Sequence, residues 1–215
     1  LAHLEACKSV VSANKQLLAR HGEELFDAAE QHGVQLRFEA SVCAAIPVVK
    51  VLRESMIVSG VHRIDGIVAN VSALAIPDNP ENWRNSFDVD LMGTVGLVEA
   101  ALPHLLASGA GSIVTISSVS GREIDFAAGP YGTVKAAIIH YTQGLAGQLA
   151  GRGVRANTVS PGNTYFPGGV WSSIEENDPE LFATALALNP TGRMATPQEV
   201  ANAVVFLSSS AASFI

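Results

Sequence analysis

The fold is decided by residues 112–159, which read SIVTISSVSGREIDFAAGPYGTVKAAIIHYTQGLAGQLAGRGVRANTV. Apolar and β-branched residues predict one strand at 112–117 and a second at 154–159. The helix predicted between them, from about Gly129, carries apolar residues at helical spacing: Tyr131, Val134, Ile138, Tyr141, Leu145 and Leu149. A strand, a crossover helix and another strand form the unit from which parallel sheets are built.

The alternation of strand and helix continues on both sides of this unit. Further strands are predicted at 9–11, 34–42 and 66–70, and further helices at 15–32, 47–56, from Asn79 onward and at 197–208. Asn79 is typical of a helix N-cap, and Pro103 is expected to kink or shorten the end of that helix. Thr196 and Glu199 have the spacing of a capping box. The pattern predicts an α/β fold with a doubly wound parallel sheet and helices on both faces.

Composition and charge argue against several classes of protein. The chain has 215 residues, of which 48% are hydrophobic and 15% charged, so intrinsic disorder is excluded. The net charge of −7 argues against nucleic-acid partners and anionic membrane surfaces. The apolar run at 94–107 is interrupted by Glu99 and His104, so we expect no membrane span. Cys7 and Cys43 cannot form a disulfide framework, which favours a cytoplasmic location.

Tyr131 and Lys135 are candidate acid/base residues, because a separation of four positions places both on one helix face. A phenol titrates near pH ~10, and a neighbouring ammonium favours the phenolate and lowers its pKa. Such a pair can act as a general acid and base. The alternative is a half-buried tyrosine next to a solvated lysine.

Two loops that follow predicted strands supply further candidates. Ser118 lies 13 residues before Tyr131, at a strand end where a hydroxyl can hydrogen-bond a substrate carbonyl. The turn Ser160-Pro161-Gly162 follows the next strand and would reach the same edge of the sheet. A serine-rich turn and an ordinary loop are the respective alternatives.

In this order and spacing, the residues of 65–215 resemble the short-chain dehydrogenase/reductase family. The landmarks are the strand at 65–70, the set Ser118, Tyr131 and Lys135, the turn Ser160-Pro161-Gly162, Gly192-Arg193-Met194, and Glu199-Val200-Ala201. The resemblance implies a Rossmann-like fold, here incomplete at both ends, and hydride transfer between NAD or NADP and a small carbonyl or alcohol substrate. It also implies a homo-oligomer.

The family implies a role for each matching residue. Tyr131 would exchange a proton with the substrate oxygen, and Lys135 would bind the nicotinamide ribose and lower the pKa of Tyr131. Ser118 would position and polarise the carbonyl. The backbone of Pro161-Gly162 would approach the nicotinamide, and Asn70 would lie near the adenosine ribose.

The sequence departs from the family pattern at several positions. Asp90 stands where the family has its proton-relay asparagine, so it is a candidate catalytic residue that could hold a water but would oppose a nearby phenolate. Ala69-Asn70-Val71-Ser72 replaces Asn-Asn-Ala-Gly, and Phe166 replaces a threonine. No glycine-rich turn for a pyrophosphate precedes Asp65. The alternative function is therefore an inactive or structural α/β protein without a cofactor cradle.

Residues 1–64 resemble a second family, homoserine dehydrogenase, through the stretches 10–15, 21–25 and 38–47. The resemblance implies a βαβα segment joined to the rest near 60–65. We interpret the chain as a chimera of two oxidoreductase fragments that form one continuous α/β domain.

The spacing of the histidines and cysteines bears on metal binding, and the position of Trp171 bears on substrate binding. The histidines and cysteines show no metal-ligand spacing, so no metal site is expected. Trp171 lies in 168–178, where the family keeps its substrate lid, and is either a substrate contact or a packing residue.

Overall fold

The secondary structure is taken from a computed structural model that describes residues 10–12, 27–28, 31, 36–38 and 64–215. Its strands are β1 (Val10–Ser12), β2 (Leu36–Phe38), β3 (Gly66–Ala69), β4 (Gly111–Ile116) and β5 (Val154–Val159). Its helices are α1 (Pro80–Ser108), α2 (Pro130–Leu149), α3 (Val170–Asn177), α4 (Pro179–Ala187) and α5 (Pro197–Ser208). Short 3-10 turns lie at Val119–Gly121, Ala150–Arg152 and Ser210–Ala212.

The paired strands run parallel. β3, β4 and β5 form a sheet in that order, and β1 pairs with β2 in a separate two-stranded sheet. The strands predicted at 9–11 and 34–42 are therefore found as three residues each. The helix predicted at 47–56 and most of the one at 15–32 lie outside the described residues. The domain arrangement of residues 1–64 stays a prediction.

Helices cover both faces of the three-stranded sheet. Ile113 of β4 packs with Leu105 of α1 and Leu145 of α2. The neighbouring Ser112 hydroxyl instead donates to the Leu207 carbonyl of α5 at 3.2 Å. Because successive side chains of a strand point to opposite faces, α5 lies opposite α1 and α2. The predicted α/β fold is thus confirmed.

The first turn of α1 forms where the sequence predicted it, but the middle of the helix has a conformation that the sequence did not predict. Asn79 caps the helix by accepting from the Asn82 N–H at 2.9 Å, as predicted. The segment Ser86–Met92 is π-helical, which no sequence signal indicated. Pro103 does not shorten the helix, which continues to Ser108. Pro103 is exposed, so the carbonyl that loses its partner there can be hydrated.

By length and composition α1 could cross a membrane. Its residues Val98, Ala101 and Leu105 are instead buried in the core against β4 and β5. The packing accounts for the apolar residues on the buried side of 93–108, since a core helix needs an apolar stripe.

We predict that Leu105→Ala lowers the free energy of unfolding by about 2–5 kcal/mol, because it opens a cavity in this core. Leu105 is fully buried, at 0% exposure. Leu188→Ala is the matched control, since Leu188 is 78% exposed and should change stability by no more than about 0.5 kcal/mol. Urea unfolding followed by circular dichroism measures both, and equal effects would contradict the assignment of the core.

Candidate active site

The loops that follow β3, β4 and β5 meet at one edge of the sheet. The Ser117 N–H donates to the Val159 carbonyl at 2.8 Å, which extends the pairing of β4 and β5 by one step. The Val119 N–H then donates to the Pro161 carbonyl at 2.9 Å. These two hydrogen bonds hold the Ser118 loop beside the Pro161 loop, at the edge where parallel sheets bind ligands.

Two glycines allow the first turn of α2 to approach the Ser118 loop. A Cβ on Gly121 would lie 2.7 Å from the Lys135 carbonyl carbon, and one on Gly132 would lie 2.8 Å from the carbonyl oxygens of Ala127 and Ser120. Neither position has room for a side chain. The close approach places the helix face that carries Lys135 directly over the loop after β4.

The side chains of Ser118 and Tyr131 are neighbours. The Ser118 hydroxyl is close enough to the Tyr131 phenol to lower its pKa. The Ser118 oxygen accepts from the Ser120 N–H at 3.2 Å and caps the 3-10 turn. Because its backbone and its hydroxyl are both held, Ser118 presents a fixed hydrogen-bonding group near the Tyr131 side chain.

Lys135 is buried, with 2% of its surface exposed. Its Nζ donates to the Val71 carbonyl at 3.2 Å and to the Ile116 carbonyl at 3.3 Å, and lies 3.6 Å from the Asp90 carboxylate. It also lies 5.5 Å from the centre of the Tyr131 ring. The solvated lysine considered as an alternative from the sequence is thus contradicted, since these oxygens take the place of water.

The pKa of Tyr131 moves in the direction opposite to the sequence-based expectation. Burial raises the pKa of the Tyr131 phenol above its ordinary value, and the carboxylates of Asp90 and Asp125 raise it further. The neighbouring Ser118 side chain acts the other way and lowers it. Burial lowers the pKa of Lys135, while Asp90 raises it. The expected lowering was wrong because loss of water around the phenol, with two carboxylates nearby, outweighs the one lowering contact, which comes from Ser118.

The candidate residues line one cavity of about 710 Å³ at this edge of the sheet. Of the residues singled out from the sequence, those that line it are Asn70, Ser118, Tyr131, Lys135, Pro161, Gly162 and Trp171. Asp90 does not line the cavity, but it contacts Lys135 and Ser72, which do. The structure therefore brings the predicted set together, with Asp90 behind it.

The lid region is helical, which the sequence analysis missed. α3 fills most of 168–178, where a lid of the mobile-loop type was expected, and α4 follows it directly. Trp171 is buried in a small core with Ala185 and Met194, and also packs edge-on against Phe126, with ring centres 5.7 Å apart. It therefore both packs in the lid and faces the cavity. The amphipathic spacing of this helix was a usable signal.

Ser72 and Asp125 supply hydrogen-bonding groups at the site, and neither was predicted from the sequence. The Ser72 hydroxyl donates to Asp90 at 2.9 Å. The Asp125 carboxylate accepts from the Ser120 hydroxyl at 2.6 Å and from the Ala127 N–H at 2.8 Å. Neither stands in a motif, so only the fold reveals their contacts. Among the residues that the structure describes, no group of three or more His, Cys, Asp or Glu could hold a metal ion.

Comparison with known proteins identifies the family. A family model described as enoyl-(acyl carrier protein) reductase matches residues 10–215. An oxidoreductase of the short-chain dehydrogenase/reductase family from Burkholderia thailandensis has a similar structure, with a TM-score of 0.74 and 30% identity, over 100% of this chain and 81% of that one. The chain belongs to the short-chain dehydrogenase/reductase family.

Curated relatives within the short-chain dehydrogenase/reductase family include dehydrogenases of small cyclic and polyol compounds. Isoepoxydon dehydrogenase of Penicillium expansum is 41% identical over 155 residues, which are 71% of this chain and 60% of the relative. Galactitol 2-dehydrogenase (L-tagatose-forming) of Cereibacter sphaeroides is 32% identical over 223 residues, which are 99% of this chain and 85% of the relative. The chain spans about 60% of the length of the curated relatives that match most strongly. These likenesses do not support the alternative of an inactive protein.

We predict that Gly132→Ala destabilises the protein by about 1–3 kcal/mol, because the new methyl group has no room beside two backbone carbonyls. Gly144→Ala, on the same helix, is the control. An added Cβ meets nothing within 4 Å there, and alanine favours a helix over glycine by up to about 1 kcal/mol. Thermal unfolding distinguishes them, and a stabilising Gly132→Ala would contradict the close approach described above.

Proposed function

We propose that this chain transfers a hydride between NAD or NADP and a small carbonyl or alcohol substrate. The observation that carries the proposal is that Ser118, Tyr131 and Lys135 line one cavity, with the Lys135 ammonium 5.5 Å from the centre of the Tyr131 ring. A phenol and a serine hydroxyl side by side can both contact one substrate oxygen.

The protein's own part in the reaction is proton transfer and positioning. In carbonyl reduction, the Tyr131 hydroxyl donates its proton to the substrate oxygen, and Ser118 hydrogen-bonds the same oxygen as charge develops on it. In alcohol oxidation, the Tyr131 phenolate accepts that proton. The bound nicotinamide supplies or accepts the hydride.

The residues around the cavity fit the nicotinamide ribose end of such a cofactor. Gly162 is exposed on the cavity wall and a Cβ there would meet nothing within 4 Å, so a planar ring can approach its backbone. Asn70 is exposed on the loop after β3 and lines the same cavity, and we expect it near the adenosine ribose. Lys135 would exchange one of its present oxygen partners for a ribose hydroxyl. The sequence before Asp65 has no glycine-rich turn for the pyrophosphate, so we expect weak cofactor binding.

We predict that Tyr131→Phe binds NADH or NADPH as the unchanged protein does but turns over about 10²–10⁴-fold more slowly, because only proton transfer is lost. Lys135→Ala should weaken cofactor binding itself. Fluorescence titration with each cofactor measures binding, and nicotinamide absorbance measures turnover. No binding of either cofactor at millimolar concentration would overturn the proposal.

We further propose that the substrate is uncharged and carries an apolar, ring-sized body. Among the residues lining the cavity in the described part of the chain, only Asp125 and Lys135 carry charge. Lys135 is already paired with Asp90, so nothing there attracts an acidic group. The wall beyond Ser118 is apolar, formed by Leu74, Ile76, Phe126, Phe166, Val170 and Trp171.

We predict that Phe126→Ala raises KM for a cyclic ketone about 2–10-fold with little change in kcat, as expected for loss of one aromatic contact. KM for a short acyclic ketone should stay unchanged. Ile124→Ala is the control, since Ile124 is 95% exposed and does not line the cavity. Equal effects on both ketones would refute the assigned substrate wall.

The remaining sequence predictions stand as part of this proposal. They are a homo-oligomer, a cytoplasmic location, and no partner nucleic acid or membrane. Exposed apolar residues on α1, namely Trp83, Phe87 and Met92, are compatible with an oligomer. One family model crosses the expected junction at 60–65, which favours a single origin for most of the chain.

A further inference from the structure

Asp90 is a buried carboxylate behind the candidate catalytic residues. Its side chain has 0% exposure and comes from the π-helical segment of α1. It accepts a hydrogen bond from the Ser72 hydroxyl at 2.9 Å and another from the Ala73 N–H at 2.6 Å. Both donors belong to the loop that follows β3, so the carboxylate is tied to a different element from its own.

Asp90 faces a single cation among the described residues, the ammonium of Lys135. The distance is 3.6 Å, and both side chains are almost fully removed from solvent, at 0% and 2% exposure. A buried ion pair of this kind persists only when the remaining hydrogen-bonding positions are filled. Here Ser72 and Ala73 satisfy the carboxylate, and the carbonyls of Val71 and Ile116 satisfy the ammonium.

We propose that Asp90 is a positioning residue that neutralises the Lys135 ammonium and so raises the pH at which Tyr131 releases its proton. The charge of Asp90 reaches Tyr131 in two ways. It opposes a phenolate directly, and it offsets the ammonium that would otherwise stabilise that phenolate. An asparagine would keep an acceptor for the Ala73 N–H but remove the charge.

Few other groups near Tyr131 and Lys135 could change the pH at which Tyr131 releases its proton. The ionisable groups that face them in the described part of the chain are Asp90 from α1, Asp125 from the loop before α2, and each other. Apart from Asp125, the end of β4 and the loops after β3 and β4 contribute hydroxyl groups and backbone carbonyls, from Ser72, Ser118, Val71 and Ile116. Asp125 is hydrogen-bonded to Ser120 and Ala127, away from the ammonium.

The first test is the pH profile of kcat/KM for alcohol oxidation, and it rests on the proposed function. Oxidation needs the Tyr131 phenolate, so the rate rises with pH toward the pKa of Tyr131. In Asp90→Asn this acidic limb should move to lower pH by about one unit, because a nearby negative charge is gone. Ser72→Ala is the matched variant, since it removes one hydrogen bond but leaves the charge, and its limb should stay in place. A limb that does not move in Asp90→Asn overturns the proposal.

The second test needs no activity, and so separates this proposal from the proposed function. Thermal unfolding is measured for Asp90→Asn, Lys135→Met and the double variant, at about pH 8 and about pH 5. Lys135→Met alone leaves a buried, unpaired carboxylate and should be the least stable at the higher pH. Such a carboxylate binds a proton more readily in the folded than in the unfolded protein. The stability of Lys135→Met should therefore recover as the pH falls.

The double variant should also be more stable than Lys135→Met, because it removes the unpaired charge. Additive effects, with no dependence of Lys135→Met on pH, would show that Asp90 and Lys135 do not act as a charge pair and would overturn the proposal. If the pair couples in unfolding but no cofactor binds, the ion pair stands and the proposed function fails.

Discussion

The arrangement of the site depends on one buried ammonium. Lys135 is reached by oxygens from three separate parts of the chain: the loop after β3, the end of β4, and α1. A charged amine without water must be surrounded by such partners, and losing any of them leaves an unsatisfied charge. The lysine therefore has a structural role as well as a position beside Tyr131. Because its ammonium must be surrounded by oxygen atoms, it holds two strand ends and two helices together.

Much of this could be predicted from the sequence, because its signals are local. The strand at 154–159 and the caps at Asn79 and Thr196 were found where expected, since they depend on neighbouring residues. The set Ser118, Tyr131 and Lys135 was found because strand ends and helix faces bring its members to one edge.

The rest depends on contacts that no local pattern encodes. The Ser72 contact with Asp90 spans 18 residues and exists only because the π-helical turn presents that carboxylate inward. The direction of the Tyr131 pKa depends on how far folding removes water from the phenol, which spacing cannot reveal. The helices α3 and α4 are an exception, since the amphipathic spacing of α3 and the Asp178 cap followed by Pro179 in α4 are local signals that the predictions did not use.

Helix α1 carries two sets of contacts whose relative rotation around its axis is fixed, those of Asp90 with the site and those of Val98 and Leu105 with the core. Successive residues of an α-helix are rotated by about 100° around its axis, so the loss or gain of one residue between Asp90 and Val98 would turn one set relative to the other. Asp90 would then leave its partners, or Val98 and Leu105 would leave the core. Substitutions can be accepted one at a time along this helix, whereas a single-codon insertion or deletion there would separate the site from the scaffold that supports it.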